Sequence, residues 1–589
     1  MRPPQVPRGD RLPPSSQELH PGSLQPAYRR ELETMIAGEA IRRLWAKDLS
    51  LWPAQDRTTK SLTTNLTWLD LPEKIGPYMA RVAAFANSLD GQGLEDAVFL
   101  GMGDSNLAAE AIANLNLPKR WKRIFVLDST DPDAVRAVEK EVNLERALFI
   151  IASKSGRKIE NQALLLYFLG QMRARGIEDP GQQFVAVTEE NTFLASVAKE
   201  YGFRGIFFDP PGISGRFSAL IHFGLLLCGL CRVTPKDLLL TAASMNELCR
   251  RTGPGETNPA QTLAAFLAAA VMTGNDRLLL FGTASLSALT YRVAQLVGVS
   301  TSKGGRGLIP ICTEVAPALE TLQEGCAAGI FRLRGDEDSS VDRLIEQLKT
   351  RDVPLVAIEL ASPEELGAEL FKWEVATALA CALLEVNPFD EPDLQESTNI
   401  AADLVDKLAT KRPLPPRTVR VREEGIELYA EGETRQQIST LNLSEALRTF
   451  FEAKNPSGYV ATLAFMDRRG RFRAVLERIR SHIASRLGIP ALLSFGPRYL
   501  HHLGQVFQGG PSKGLFLMIT GEPLQDISIP GAGYSFGQLQ LALAMGDFDS
   551  LERHHRPVLR LHLAQGAEPG LSKLETALQQ ALRNVRSNP

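Results

Sequence analysis

A short apolar run that ends in a polar turn constrains the fold of this chain more than any other segment. Residues 147–151 are five apolar residues, Ala-Leu-Phe-Ile-Ile, and the turn Ser153-Lys-Ser-Gly156 follows. The run is too short for a helix and too uniformly apolar for a half-exposed strand, so it predicts a central strand of a parallel sheet. Ligands of such sheets bind at the carboxyl ends of strands, where the next helix offers N–H groups to an anion. The turn therefore predicts a phosphate-ester site around Ser153, Ser155 and Gly156, and an ordinary capped turn is the alternative.

Strand-like runs alternate with helical segments through most of the chain. This alternation predicts an α/β fold with doubly wound parallel sheets. Lys411-Arg-Pro-Leu-Pro-Pro416 is the clearest linker, and the alternation resumes beyond it. The predicted divisions are a disordered proline-rich tail (1–27), a helical arm (28–95), two α/β domains (96–233 and 234–410), the linker (411–416) and a C-terminal α/β lobe (417–589).

Composition narrows the class of protein. A length of 589 residues predicts two to four domains, and a net charge of −3 argues against a broad nucleic-acid or membrane surface. No apolar run approaches the roughly 18 residues of a membrane span, and the N-terminus lacks the apolar core of a signal peptide. Cys228 and Cys231 lie in an apolar run without nearby histidines, so we interpret them as core residues of a cytoplasmic protein. No metal site is predicted, and Gly101-x-Gly103 lacks the third glycine of a dinucleotide-binding turn.

Several motifs occur together in one order along the chain. They are Gly101-Met-Gly-Asp-Ser-Asn-Leu107, Leu127-Asp-Ser-Thr-Asp-Pro132, Ser153-Lys-Ser-Gly156, Ser214-Gly-Arg-Phe-Ser218, residues 300–310, Asn387-Pro-Phe-Asp390, Gly496-Pro-Arg-Tyr-Leu-His501, Gly504-Gln505 and Gly509-Gly-Pro511. In this order they resemble the glucose-6-phosphate isomerase family, and most of all the isomerase half of bifunctional transaldolase/glucose-6-phosphate isomerase proteins. The resemblance covers roughly residues 41–589.

The resemblance implies a more specific architecture and set of partners. It implies two sugar-isomerase (SIS) subdomains with three-layer αβα sheets, followed by the C-terminal lobe. It also implies a sugar phosphate as ligand, no cofactor, a homodimer and a possible association with a transaldolase. The reaction would be the aldose–ketose isomerisation of glucose 6-phosphate and fructose 6-phosphate.

The resemblance also implies which residues hold the substrate. The substrate-binding set would be Ser105, Ser153, Lys154, Ser155, Arg157, Lys158 and Gln505. Arg157 and Lys158 stand where the family has threonines, and Asp104 replaces a glycine. We expect Asp104 and Arg157 to compensate each other's charge.

The catalytic positions are only partly retained. The resemblance implies that His501 opens the sugar ring, with His502 beside it, and that Arg216 stabilises the enediolate. Val299 and Thr398 occupy the positions of the family's glutamate base and lysine. Loss of a general base typically costs about 10²–10⁴-fold in rate, so the sequence predicts impaired isomerase chemistry.

Three functions follow from these departures. The chain is a sugar-phosphate sensor or interaction subunit that has lost isomerase activity, a working isomerase with a substitute carboxylate, or an interaction module without a small ligand. The candidate substitute carboxylates are Glu314, Glu374 and Glu396, and less favourably Glu160. Of these, Glu396 lies one helical step from the lysine position and is predicted as the catalytic carboxylate.

Overall fold

The computed structural model describes residues 15–53, 66–74, 76–103, 107, 110, 121–218, 220, 226, 235–253, 257–313, 325–439, 442–583 and 585. The strands of these residues form three sheets. The strands are β1 Ser16–His20, β2 Asp96–Leu100, β3 Arg123–Leu127, β4 Ala147–Ala152, β5 Phe184–Thr188, β6 Gly205–Phe208, β7 Arg277–Gly282, β8 Ile309–Cys312, β9 Cys326–Leu333, β10 Leu355–Leu360, β11 Val421–Glu423, β12 Ile426–Tyr429, β13 Tyr459–Ala464, β14 Ala491–Phe495, β15 Gly514–Gly521 and β16 Val558–Leu563.

Helices connect these strands and cover the sheets. We number the described α-helices in chain order: α1 Gln25–Ala37, α2 Ala40–Trp45, α3 Leu71–Lys74, α4 Gly76–Ser88, α5 Pro132–Glu141, α6 Ile159–Ala174, α7 Phe193–Glu200, α8 Pro235–Cys249, α9 Pro259–Met272, α10 Ser287–Thr301, α11 Ser339–Thr350, α12 Leu366–Leu383, α13 Pro392–Ala409, α14 Gly432–Gln437, α15 Leu443–Glu452, α16 Arg473–Leu487, α17 Gly504–Gly509, α18 Phe536–Arg553 and α19 Ala567–Arg583.

The three sheets repeat one strand order. The first sheet runs β3-β2-β4-β5-β6 and is parallel throughout. The second contains β8-β7-β9-β10 as parallel neighbours, with β1 antiparallel at its edge. The third contains β14-β13-β15-β16 as parallel neighbours, with β12 and β11 antiparallel beyond them. Each sheet therefore defines a lobe in which, counting the parallel strands alone, the first strand lies between the second and the third.

The central strand predicted from residues 147–151 is β4 of the first sheet. All of β4 is buried, and it pairs with β2 on one side and β5 on the other. The predicted fold class, doubly wound parallel sheets in two sugar-isomerase-like lobes with a C-terminal α/β lobe, is confirmed. The third lobe turns out to share the four-strand order of the other two.

The first and third lobes share one apolar core. Tyr167 of α6 packs edge-on against Phe536 of α18, with ring centroids 5.5 Å apart. Gly170 of α6 approaches Pro530 so closely that an added Cβ would lie 2.9 Å from its Cγ. The apolar cluster that contains β2 and β4 side chains also contains side chains of β13, β15 and α18. The two lobes therefore pack as one unit.

A partly buried ion cluster also joins these two lobes. Arg468 and Arg498 of the third lobe both form salt bridges with Glu110 and Asp128 of the first. Burial alone would raise the pKa of Asp128, but the arginines outweigh burial and lower it. The arginines of the third lobe therefore compensate the carboxylates of the first lobe within the interface.

The N-terminal prediction was wrong in part. Residues 1–27 were predicted to be disordered, but Ser16–His20 forms β1 and pairs with β10. The physical reason is that the edge of β10 supplies backbone partners, so a strand of polar residues needs no core of its own to be ordered. The apolar run that contains Cys228 and Cys231 lies largely outside the described residues.

Candidate active site

The candidate site lies at the carboxyl ends of β2 and β4. Connections from these neighbouring strands leave toward opposite sides of the first sheet, because β3 lies beyond β2 and β5 lies beyond β4. Open α/β sheets bind ligands in the crevice at such a point. The segments that meet there are Gly101–Gly103 after β2 and Ser153–Lys158 after β4.

The turn after β4 has the features of an anion-binding turn. Ser153 is buried, and its hydroxyl has no hydrogen-bond partner among the described residues. Gly156 adopts φ +65°, and an added Cβ would lie 2.8 Å from the backbone nitrogen of Leu194. Asn161 of α6 anchors the helix by donating to the carbonyl oxygen of Ala152 over 2.8 Å. The turn thus presents a buried hydroxyl at the N-terminus of a helix, where unpaired N–H groups attract an anion.

The three cations of this turn have different surroundings. Lys154 donates to the carbonyl oxygen of Ile213 and lies 3.5 Å from Glu189, so a carboxylate already balances its charge. Lys158 donates to the carbonyl oxygen of Met102 over 2.8 Å and so joins the two segments of the crevice. Because a carbonyl oxygen has no net charge, this contact does not neutralise the ammonium group of Lys158. The remaining positive charge favours an anion nearby.

Arg157 and Ser155 are exposed at the mouth of the turn. The backbone N–H of Arg157 donates to the hydroxyl of Ser155 over 3.3 Å. The guanidinium of Arg157 contacts no carboxylate within the described part of the chain. The predicted pairing with Asp104 lies outside the described residues, as does the predicted substrate residue Ser105.

A histidine from the third lobe enters this crevice of the first lobe. His501 Nε2 lies 2.8 Å from Glu160 Oε1, and Glu160 is buried at the start of α6. Gly103 permits this approach, because a Cβ there would lie 2.6 Å from the Cβ of His501. Burial alone would raise the pKa of Glu160, but the charge and hydrogen bond of His501 outweigh burial and lower it. A carboxylate–imidazole pair of this kind suits proton transfer to a bound ligand.

One face of α10 lines the same region. Gln295 donates through Nε2 to the carbonyl oxygen of His501 over 2.8 Å, and Arg292 donates to the carbonyl oxygen of Arg216 over 2.6 Å. Val299 follows Gln295 by one helical turn, which places it on the same face of the helix. The position of the family's base therefore adjoins the His501 and Arg216 segments, but the buried side chain there is apolar.

Arg216 is tied into the loop that begins at Asn387. Its guanidinium donates to the carbonyl oxygens of Pro388 at 3.1 Å and Asp390 at 2.7 Å, and to Glu391 at 3.2 Å. Nε also lies 3.2 Å from the hydroxyl of Ser300. Arg216 therefore stabilises this loop, in addition to the catalytic role that was predicted for it.

Lys303 lies beside this network. Its ammonium donates to the carbonyl oxygens of Val299 and Ser300 at 3.2 and 2.6 Å and is 3.6 Å from Asp390. Burial and the nearby Arg216 lower the pKa of Lys303 to about 8. A buried lysine thus contacts the backbone of Val299, the residue to which the resemblance assigns the position of a base.

Two predicted site residues have other partners. Glu396 forms salt bridges with Arg553 at 3.0 Å and His554 at 3.1 Å, so it faces the end of α18 and does not join His501. Gln505 is fully buried: its amide donates to the carbonyl oxygen of Ser302 over 2.8 Å, and its oxygen accepts from the backbone N–H groups of Asp393 and Leu394. Both arrangements disagree with a direct role at the ligand, because the polar atoms are already used.

The remaining candidates occupy separate places. Thr398 is exposed and its hydroxyl donates to the carbonyl oxygen of Leu394 over 3.1 Å. Glu374 is buried on α12, with Oε1 3.8 Å from Arg292 Nη2, and so lies nearer to the α10 face than Glu396 does. His502 turns away from Glu160, with Nε2 3.0 Å from the carbonyl oxygen of Tyr291. Glu314 lies outside the described residues.

Sequence reasoning missed the partner of His501. Glu160 was considered only as a weak substitute base, because its pairing joins two lobes that are distant in sequence. Its position in the first turn of the helix after the anion-type turn was the available signal. Tyr534 was also missed: burial, together with the charge of Glu160, raises its pKa.

The described residues offer neither a metal-binding cluster nor a membrane-spanning helix. No group of three or more His, Cys, Asp or Glu side chains is placed to hold a metal ion in that part of the chain. None of its helices is both long and apolar enough to cross a membrane.

The parallel-sheet lobes have the αβα fold of sugar isomerases. A hypothetical protein from Thermus thermophilus has a similar fold, with a TM-score of 0.57 and 23% identity over 66% of this chain and 99% of that one. The alignment of a solved glucose-6-phosphate isomerase from Chlamydia trachomatis has a TM-score of 0.48, 18% identity and 63% and 78% coverage. No protein-family model matches the chain.

The proteins of similar sequence are named glucose-6-phosphate isomerase. The chain is similar to glucose-6-phosphate isomerase of Mycoplasmopsis pulmonis, 25% identical over 56% of this chain and 87% of that protein. It is 31% identical to the enzyme of Borreliella afzelii over 24% of this chain and 28% of that protein, less than a third of the relative's length. The enzyme of Acaryochloris marina is 24% identical over 65% and 80%, respectively. The resemblance to glucose-6-phosphate isomerases that the motifs indicated is confirmed.

Proposed function

We propose that the chain binds a sugar phosphate in the crevice of the first lobe. The phosphate would lie at the hydroxyl of Ser153 and the N-terminus of α6, with Arg157 and Lys158 supplying positive charge. The sugar would extend toward His501. The observation that carries this proposal is the buried His501–Glu160 pair at 2.8 Å, formed between two lobes beside an anion-type turn.

The His501–Glu160 pair supports one proton-transfer step in particular. A protonated imidazole can give a proton to the ring oxygen of an aldohexose while water accepts the proton of the anomeric hydroxyl, which breaks the ring C–O bond and forms the open-chain aldehyde. Glu160 would orient the imidazole. We therefore assign ring opening of a hexose phosphate to this pair.

Isomerisation needs a further base. Moving a proton between C1 and C2 requires a group near those carbons, and Val299 cannot carry a proton. We propose that isomerisation of glucose 6-phosphate and fructose 6-phosphate, the activity named for the relatives, is slow in this chain. Glu374, which lies closer to the α10 face than Glu396, is the substitute base that the contacts favour.

Binding and turnover can be separated by experiment. Isothermal titration with glucose 6-phosphate should show one site per chain, and glucose should bind far more weakly because it lacks the phosphate. Ser153→Ala should weaken binding by about tenfold, the effect of losing roughly 1.4 kcal/mol from one hydrogen bond to a charged group. Failure of the wild type to bind glucose 6-phosphate at millimolar concentration would refute the proposal.

A sensor or interaction subunit is the second candidate function. The apolar Val299 in an otherwise polar face of α10 favours it. Binding of glucose 6-phosphate without isomerisation in a coupled assay would support the sensor, whereas turnover at a rate typical of the family would exclude it.

Three further properties are proposed from the resemblance. We propose a cytoplasmic protein that forms a homodimer and associates with a transaldolase. Sedimentation of the purified chain, alone and with a transaldolase, tests the last two properties.

A further inference from the structure

Topologically equivalent segments of the first and third lobes each contact a helix of the other lobe. His501, which follows the second strand of the third sheet (β14), pairs with Glu160 on the helix after the third strand of the first sheet. Conversely, Asp131, which follows the second strand of the first sheet (β3), accepts a hydrogen bond from Gln540 over 3.2 Å. Gln540 lies on α18, the helix after the third strand of the third sheet. Each lobe thus completes the crevice of the other.

The crevice of the third lobe contains a cavity. It lies at the carboxyl ends of β13 and β15, whose connections leave toward opposite sides of the third sheet. Its volume is about 320 Å³, and Phe465, Phe472 and Leu541 form its apolar part. This size is at the lower end of the range for small-molecule sites. The cavity has the same topological place as the candidate sugar-phosphate site.

The charge of this cavity is opposite to that of the first crevice. Asp131, Asp133, Asp467 and Glu522 line it. The lining cation is Arg471, and Glu568 already pairs with it at 2.8 Å. Glu522 lies 3.2 Å from His562 Nε2, so the excess negative charge belongs to the other three carboxylates, which repel a phosphate and attract a positive charge.

Asp131 is the most constrained of these carboxylates. One oxygen accepts hydrogen bonds from the backbone N–H groups of Asp133 and Ala134 at 2.9 and 3.1 Å, and the other accepts from Gln540. No cation pairs with it among the described residues. Burial raises the pKa of Asp131 to about 6, which a cationic ligand would reverse.

We propose that this crevice is a second small-molecule site and binds a small organic cation with a compact apolar body. The reciprocal contacts between the lobes form the crevice, and its cavity is large enough for a small molecule. The carboxylates that lack a cationic partner favour a positively charged ligand. A metal ion fits less well, since no three potential ligands are suitably grouped in the described part of the chain. This site does not depend on the sugar-phosphate proposal.

Benzamidine and benzoate are a matched pair of probes for the full-length chain. They share a flat aromatic body and carry opposite charges. Isothermal titration should show benzamidine binding with a dissociation constant of about 1 mM or lower, and no comparable binding of benzoate. Absence of benzamidine binding at about 10 mM, or equal binding of benzoate, would overturn the proposal.

Two variants locate the binding. Asp133→Asn with Asp467→Asn removes two charges at nearly constant shape and should weaken benzamidine binding at least tenfold. Leu541→Trp should block the cavity, whereas Ser153→Ala, in the other crevice, should leave benzamidine binding unchanged. Benzamidine binding that survives both cavity variants, when their melting temperatures show them folded, would place the ligand elsewhere and refute the proposal.

Discussion

Gln295 donates a hydrogen bond through Nε2 to the carbonyl oxygen of His501 over 2.8 Å, which joins the second lobe to the third at the crevice of the first. One helical turn farther along α10, the same face presents Val299. The resemblance assigns a glutamate base to this position, where the buried side chain is apolar.

Val299→Glu should raise isomerase activity. A carboxylate on this face of α10 would restore a proton acceptor next to the His501 segment, and a general base contributes about 10²–10⁴-fold. A coupled assay with fructose 6-phosphate measures the change. Val299→Gln is the matched control, because it has nearly the same shape and cannot accept the proton. Equal rates for the two variants would show that the rest of the site is out of register.

The Glu160–His501 pair should make stability depend on acid pH. The lowered pKa of Glu160 means that its stabilising contribution is complete above its ordinary value of 4.5 and is lost as pH falls through the folded-state pKa. Glu160→Gln should cost about 1–3 kcal/mol near neutral pH, with a smaller difference from wild type in acid. Urea denaturation at several pH values measures both effects.

A surface glutamate provides the control for this prediction. Glu190 is exposed, so Glu190→Gln should change the unfolding free energy by less than about 0.5 kcal/mol at every pH. If Glu160→Gln behaves like Glu190→Gln, the pair does not stabilise the fold.

Lys303 should also make stability rise with pH, but in the alkaline range. Its pKa is about 8 in the folded chain, against 10.5 without the fold, so the unfolded chain binds more protons between those values. Stability contributed by this group therefore rises with pH in that window, by up to about 1.4 kcal/mol per pH unit. Lys303→Met should lack this rise. Identical slopes for the wild type and Lys303→Met between pH 8 and 10.5 would contradict the assignment.

One chain should hold a complete site. Ser153, Glu160 and His501 come from two lobes of the same polypeptide, so dimerisation supplies none of them. Mixing Ser153→Ala chains with His501→Ala chains should therefore leave glucose 6-phosphate binding at the level of the separate variants. Recovery of wild-type affinity in the mixture would mean that the site forms between chains.

The apolar pattern predicted the fold better than it predicted the site. The buried run at β4 and the strand–helix alternation required parallel sheets, because continuous apolar strands need cover on both faces. The apolar pattern was less informative about the edge strands of the sheets. β1 is polar and β11 and β12 are short, so their positions depend on backbone pairing that periodicity does not reveal.

The surroundings of a candidate site residue were predictable where a local motif contains it. Ser153 and Gly156 follow a buried strand and have the expected surroundings. Glu396 and Gln505 were misplaced because sequence spacing does not show which partner takes a polar atom first, and here Arg553, His554 and the start of α13 do so. The Glu160–His501 pair could not be inferred from local patterns, since it depends on how two lobes pack.

The partly buried ion cluster shows what joining the first and third lobes in one polypeptide makes possible. Glu110 and Asp128 follow the first two strands of one sheet, and Arg468 and Arg498 follow the equivalent strands of another. Two identical subunits could not divide charge in this way, because any substitution in one copy is also made in the other. In a single chain the two lobes are encoded separately, so acidic side chains of one lobe can face basic side chains of the other. The residues of one crevice can also change while those of the other stay the same.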